Sequence, residues 1–79
     1  FPNPFNSTAS VTLNLAQSQE VELKLFDLKG NLIQEVHSGY LQAGVFRFSV
    51  NGSNLNNGTY FLNFSSKTQS QQIQMQFVK

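Results

Sequence analysis

The stretch formed by residues 20–31 constrains the fold of this chain more than any other part of it. Val21, Leu23 and Leu25 alternate with charged residues, which is the period of two expected for a strand with one buried face. Turn residues follow, and among them Gly30 tolerates a positive φ at low steric cost. We therefore expect a central strand that ends in a tight turn, with the other apolar segments pairing beside it or packing on it.

Strand-like alternation recurs along the rest of the chain, and turn residues separate the alternating segments. The other predicted strands cover residues 10–16, 32–37, 45–50, 59–65 and 71–78. No segment repeats its apolar residues with a helical period, and turn signals return about every 8–12 residues. Residues 16–19 are expected to form a hairpin connection, and residues 38–44 a loop. The pattern predicts one all-β domain, an antiparallel sandwich of six or seven strands.

Two details of the predicted strands bear on the packing. In the last strand Ile73, Met75 and Phe77 alternate with glutamines, so these three side chains are expected to point inward. Phe26 has the wrong parity for the buried face of the central strand. A bulge near Asp27, or a covering loop, would accommodate it.

Composition restricts the classes of partner. The 79 residues carry a net charge of +1 with only 11% charged residues, which gives no electrostatic basis for binding nucleic acid or an anionic membrane. No apolar run approaches the roughly 20 residues of a membrane span, so no membrane insertion is expected. The chain has no cysteine, and its first residue is Phe1 rather than methionine. We expect a fragment of a larger protein, stabilised by apolar burial rather than by disulfides.

Catalytic chemistry has little support in the sequence. His37 is the single histidine and Asp27 the single aspartate, and no spacing pairs either of them with a particular hydroxyl. Glu20 and Glu22 share one face of a strand with Lys24, which is typical of a solvated surface. We therefore expect no enzyme and no cofactor.

Two weak binding sites stay open as alternatives. A calcium site would use backbone carbonyls with the loop residues Asn51, Asn54 or Asn56, although acidic ligands are lacking there. A sugar-binding or adhesive surface would use the aromatic residues that lie off the predicted core faces, Phe26, Tyr40 and Phe61.

Four landmarks, taken in order, resemble a known family over the whole chain. They are FPNPFN at residues 1–6, FDLKG at 26–30, LQAG at 41–44, and LNNGTYF at 55–61 followed by a last strand ending in Val78 and Lys79. This order and spacing resemble the C-terminal sorting domain (type A) of the type IX secretion system of Bacteroidota. The pattern departs from the family at Ser7, where proline is common, and at Gln71 and Gln72, where basic residues are common.

The resemblance implies a delivery module and no catalytic activity. Such domains form an Ig-like β-sandwich of about seven strands at the C-terminus of a large secreted or surface protein. The cargo, N-terminal in the same chain, passes through the periplasm, and the outer-membrane translocon recognises the domain. A sortase-like peptidase usually removes the domain and can anchor the cargo at the cell surface. The protein is then expected outside the cell or on its surface.

The residues that match the family are the candidate functional residues. They are Pro2, Asn3, Pro4, Phe5, Asp27, Gly30, Gly44, Gly58, Tyr60, Val78 and Lys79. The resemblance implies that the prolines stiffen the junction with the cargo, that the glycines serve turns, and that Tyr60 is an inward anchor. As a last strand, residues 73–79 would be an edge open to strand addition, with recognition of an assembled face as the alternative.

Overall fold

Six antiparallel strands form the fold in the computed structural model, which describes residues 8–53 and 55–78. They are β1 (Thr8–Leu15), β2 (Gln19–Phe26), β3 (Leu32–Leu41), β4 (Gly44–Asn51), β5 (Gly58–Ser65) and β6 (Ser70–Phe77). The all-β prediction is confirmed. The described residues contain six strands rather than the seven that the resemblance suggests.

The strands make a sandwich of two sheets. One sheet has the order β3-β2-β5-β6, and the other consists of β1 and β4. The predicted central position of β2 is confirmed, because it pairs with β3 on one side and with β5 on the other.

The core lies between the two sheets. Its buried apolar residues come from five of the strands and are Leu15, Val21, Leu23, Leu25, Val50, Tyr60, Leu62, Phe64 and Phe77. The three residues of β2 in this list are the ones that its alternation assigns to the buried face. Burying each such side chain contributes about 1.5–3 kcal/mol relative to leaving it in water.

The expected hairpin between the first two strands is wrong. β1 pairs with β4 along its whole length, from Thr8 opposite Asn51 to Leu15 opposite Gly44, whereas β2 lies in the other sheet. The connection between β1 and β2 therefore crosses the sandwich. It is fixed there by a hydrogen bond of 3.0 Å that the Ala43 N–H donates to Oγ of Ser18.

The expected loop at residues 38–44 is also wrong in most of its length. β3 continues to Leu41, with Gly39 opposite Val21 and Tyr40 opposite Glu20. The partner strand provides the hydrogen bonds that this segment requires, so tertiary pairing overrides its turn-like composition.

Irregular pairing does occur near Asp27, but its extra residues lie in β3 and it leaves the alternation of β2 unchanged. The register between β2 and β3 shifts at Leu23/Lys24 and again at Leu25/Phe26. The second shift leaves Ile33 without a partner on β2, and it brings Phe26 opposite Leu32. Because β2 keeps its alternation, Phe26 lies on the outer face of the four-stranded sheet, opposite Phe61 of β5.

Candidate functional site

The turn after β2 is held together by one carboxylate. Oδ1 of Asp27 accepts hydrogen bonds of 2.9 Å from the backbone N–H groups of both Lys29 and Asn31, and Oδ2 accepts one of 3.1 Å from the Asn31 amide. The backbone N–H of Gly30 donates to the Asp27 carbonyl at 3.1 Å. Gly30 has a φ of 88°, as the turn chemistry predicts.

These hydrogen bonds also set the charge state of Asp27. The backbone N–H of Asn31 lowers the pKa of the Asp27 carboxyl below its usual value, with smaller contributions from the Asn31 side chain and the Lys29 and Gly30 backbone, although partial desolvation acts in the opposite direction. Both carboxylate oxygens are occupied within the turn, so the structure assigns Asp27 to shaping this loop.

Tyr60 anchors the neighbouring loop to the core. Its side chain is buried in the core, and its hydroxyl donates a hydrogen bond of 2.9 Å to the carbonyl of Asn56. Its ring meets that of Phe77 edge to face, with centroids 5.6 Å apart and an interplanar angle of 72°. The predicted inward orientation of Tyr60 is confirmed.

Gly52 is a residue that the sequence-based reasoning missed. It is buried after the end of β4, and a Cβ atom placed there would lie 2.5 Å from Cδ1 of Phe77. Backbone and ring are in such close contact that no side chain fits between them. The turn-rich sequence around Gly52 gave no signal of this contact, because the ring comes from a strand far along the chain.

Several family landmarks gather at one end of the sandwich. A groove of about 390 Å³ separates the Asp27 turn from the segment around Gly58, with Asn31 and Asn56 among its lining residues. Gly58 lies opposite Phe77, so Val78 leaves β6 at this end, where it is 61% exposed.

The chain also enters the sandwich at this end. Thr8, the first residue of β1, pairs with Asn51, and the next residue, Gly52, contacts Phe77. We call this region the entry–exit end, defined by Thr8, Gly52, Gly58 and Phe77.

The other candidate residues lie away from the entry–exit end or outside the described residues. Gly44 begins β4 opposite Leu15, at the end of the two-stranded sheet remote from Thr8. Gly44 and Gly58 both have positive φ. Pro2, Asn3, Pro4, Phe5 and Lys79 lie outside the described residues.

The outer face of the four-stranded sheet presents a row of apolar side chains. Phe26 pairs with Leu32 on one side and with Phe61 on the other, and Phe61 pairs in turn with Gln74. A groove of about 510 Å³ lies beside this row, lined by Phe26, Asn63 and Gln72 among others. Tyr40 lies opposite Glu20, six residues from Phe26 along β2 and thus about 20 Å away, so the structure does not bring the three aromatic candidates together.

The titratable residues form no recognisable catalytic arrangement in the described part of the chain. His37 lies within β3 rather than at a strand end, its ring 5.2 Å from that of Phe48 and its Nε2 buried without a hydrogen-bond partner. Glu22 and Lys24 form a surface ion pair of 3.3 Å. Among residues 8–53 and 55–78, no three acidic or histidine side chains cluster in a way that would hold a metal ion. Asn54, one of the calcium candidates, lies outside the described residues.

β6 is an edge of the four-stranded sheet. It pairs with β5 from Gly58 opposite Phe77 to Ser65 opposite Ser70 without a register shift, and with no other described strand. Phe77 is buried, Met75 is half-buried, and Ile73 is 38% exposed. The predicted inward direction is confirmed for all three, because Ile73 lies opposite the buried Leu62, but burial falls from Phe77 through Met75 to Ile73, whose side chain remains exposed.

None of the described segments is a helix with the length and apolar character of a membrane span.

Comparison with known proteins identifies the family. No curated protein and no solved structure matches the chain. The family model described as the secretion system C-terminal sorting domain matches residues 1–79, which is the whole chain. The chain therefore belongs to the C-terminal sorting domains of the type IX secretion system, a non-catalytic family that directs secretion across the outer membrane.

Proposed function

We propose that the chain is a single sorting domain at the C-terminus of a larger secreted protein, and that the outer-membrane translocon recognises it as a folded sandwich. The observation that carries this proposal is the family match over all 79 residues. The core agrees with it, since buried residues from both sheets close one self-contained interior. The cargo is the N-terminal part of the same polypeptide and passes through the periplasm before export.

The entry–exit end supports a role for the junction with the cargo. Because Thr8 and Phe77 lie at the same end, the cargo linker and the last residues approach the translocon from one side. Pro2 and Pro4 restrict the backbone just before this end, which favours an extended segment. A sortase-like peptidase would cleave upstream of Phe1 and transfer the cargo to its anchor on the surface.

The remaining candidate residues divide into two groups by their contacts. Asp27 and Tyr60 form their hydrogen bonds with groups of the domain itself, and Gly30 provides the positive φ of a turn. We therefore propose that these three residues stabilise the fold rather than contact a partner. Gly44 and Gly58 belong with them as strand-initiating positions. Among the described candidates, Val78 is left as the residue accessible to partners, since its side chain is 61% exposed.

A reporter fusion tests this function. A periplasmic reporter joined to residues 1–79, in a host with the type IX system, should appear outside the cell, whereas the reporter alone should stay in the periplasm. Deletion of residues 75–79 should retain the fusion, and circular dichroism of the truncated domain shows whether unfolding accounts for that. Periplasmic retention of the intact, folded fusion would contradict the proposal.

A second candidate function rests on the outer face. Phe26 pairs with Phe61 next to a groove that is lined by amide and hydroxyl side chains and by the ion pair of Glu22 and Lys24. Such a mixture of apolar and hydrogen-bonding groups is what a sugar requires. Phe61→Ala should abolish binding on a glycan array if this face binds sugar. Tyr40→Ala is the matched control, because Tyr40 lies about 20 Å from the aromatic pair. An array without any signal from the folded parent domain would exclude this candidate.

A further inference from the structure

The two edges of the four-stranded sheet differ in the features that normally prevent further strand pairing. Proteins protect exposed edges with charged residues, prolines, bulges or covering segments. The β3 edge has two of these protections, since its register with β2 shifts twice and it carries Glu35. Residues 70–77 of β6 include no charged residue, no proline and no register shift.

The β6 edge also leaves apolar surface uncovered on the inner side of the sheet. Residues 70–74 are all exposed, and among them Ile73 has the parity of the core residues Met75 and Phe77. By contrast, the inward residues of β1, which include Val11 and Leu13, are packed against the core. β1 also carries no charge. Its apolar side chains are already packed against the core, so β1 offers no exposed apolar side chain to an added strand.

We propose that β6 is the docking edge of this domain, and that it binds an extended segment of the secretion machinery as an additional antiparallel or parallel strand. In a strand paired on one side, alternate residues direct their N–H and C=O groups outward, so eight residues offer about four of each. These groups bind any extended backbone. The proposal deepens the sorting function proposed above and rests on it.

The side chains of β6 define the chemistry of the added strand. Its residues facing the inner side would cover Ile73 and are therefore apolar. Its residues facing the outer side would lie beside Gln72 and Gln74 and are therefore polar and uncharged. Because β6 has no charge, this association is insensitive to salt, unlike recognition by a basic or acidic patch.

The competing occupants are a second copy of this chain and the segment of residues 1–7. A second copy would dimerise the free domain. Residues 1–7 would protect the outward N–H groups of β6 from exchange, although Pro2 and Pro4 cannot donate to a strand ladder.

Amide hydrogen exchange on the isolated monomeric chain should show alternate amides of β6 exchanging rapidly. Protection of every amide of β6 in that monomer would overturn the proposal.

Proline substitution then tests the edge in the reporter fusion. Gln71 and Gln72 are both exposed, but one directs its N–H to β5 and the other directs it outward. Of Gln71→Pro and Gln72→Pro, one should unfold the sheet. The other should fold with a melting temperature close to the parent, yet reduce secretion at least 10-fold. A folded proline variant secreted as well as the parent would overturn the docking edge while leaving the sorting function intact.

A matched pair of charge substitutions covers the case in which both proline variants unfold. Gln72→Lys adds charge to the outer face at the β6 edge, and Ser38→Lys adds it to the same face at the β3 edge. Secretion should fall several-fold for Gln72→Lys and be unchanged for Ser38→Lys. Equal secretion of these two variants would contradict the proposal, whereas failure of the parent fusion to be secreted would instead contradict the sorting function itself.

Discussion

Gly30 and Gly52 both lie in loops that follow a strand, yet the structure requires glycine at these positions for different reasons. At Gly30 the backbone has a φ of 88°, while a Cβ atom placed there would meet no other atom within 4 Å. At Gly52 the backbone needs no positive φ, but a Cβ atom would lie 2.5 Å from the ring of Phe77. The first requirement is conformational and local, and the second is steric and tertiary.

The surroundings of the two glycines repeat this difference. Gly30 belongs to a turn in which all the hydrogen bonds to Asp27 come from within five residues of chain. Gly52 joins the end of β4 to Phe77 and, through Phe77, to Tyr60 of β5. The effect of a substitution at Gly30 should therefore be confined to one turn, whereas a substitution at Gly52 should disturb the packing of the core.

The largest effect is expected at Gly52. Gly52→Ala should lower the free energy of unfolding by about 1–3 kcal/mol, because the buried ring of Phe77 cannot move away without loss of packing. Urea denaturation followed by circular dichroism measures this change. Ser53→Ala is the control, because Ser53 is exposed and donates through its backbone N–H, and it should stay within about 0.5 kcal/mol of the parent.

A double-mutant cycle sharpens the same comparison. If the clash with the ring is the cause, Gly52→Ala should cost less in a Phe77→Leu background, where the side chain is smaller and more adaptable. The coupling between the two substitutions should then be at least about 0.5 kcal/mol. Additive effects would mean that Gly52 acts through something other than Phe77.

A smaller effect is expected at Gly30. Gly30→Ala should destabilise the domain by about 1 kcal/mol, because a Cβ atom disfavours positive φ even where space is available. Gly30→Asn should be better tolerated, since asparagine visits this region more readily. Thermal unfolding of the two variants measures the difference, and a penalty for asparagine as large as that for alanine would argue against a conformational cause.

The smallest effect is expected from the charge on Asp27. Its folded-state pKa lies below the unfolded value of 3.8, so the folded domain binds fewer protons than the unfolded chain in this range. Stability therefore rises with pH: the contribution is fully present above the unfolded pKa and is lost as the pH falls through the folded one. Melting temperatures between about pH 2 and 6 should decline toward acid, and Asp27→Asn should flatten that decline. An unchanged profile in Asp27→Asn would assign the decline to other groups.

The sequence predicted those features that depend on neighbours along the chain. Alternation assigned Val21, Leu23 and Leu25 to the core correctly, and the turn residues located Gly30 and its positive φ. The parity of Phe26 correctly placed its side chain off the core face of β2. Each of these follows from a few consecutive residues, where steric and hydrogen-bonding preferences act directly.

Features that depend on distant partners were not predictable in the same way. The alternation of β1 is compatible with either sheet, so it could not show that its partner is β4 rather than β2. Ile73 has the same pattern as Phe77, but only the assembled sandwich determines which of them is covered. The same holds for the candidate site: the edge position of β6 was anticipated from its place at the end of the chain, whereas the contrast with the bulged β3 edge required the pairing itself.

The pairing of β1 with β4 has a consequence for the time the domain needs to fold. The closest paired residues of these strands, Leu15 and Gly44, are separated by 28 intervening residues, and Thr8 and Asn51 by 42. Closing loops of this length costs entropy before the contacts are gained, and domains dominated by such pairings fold in about milliseconds to seconds. Leu15 and Val50 enter the core only when this sheet closes, and Gly52 then brings β4 against Phe77. The rate of that closure therefore sets how soon the Phe77 end of β6 becomes fixed against the two-stranded sheet.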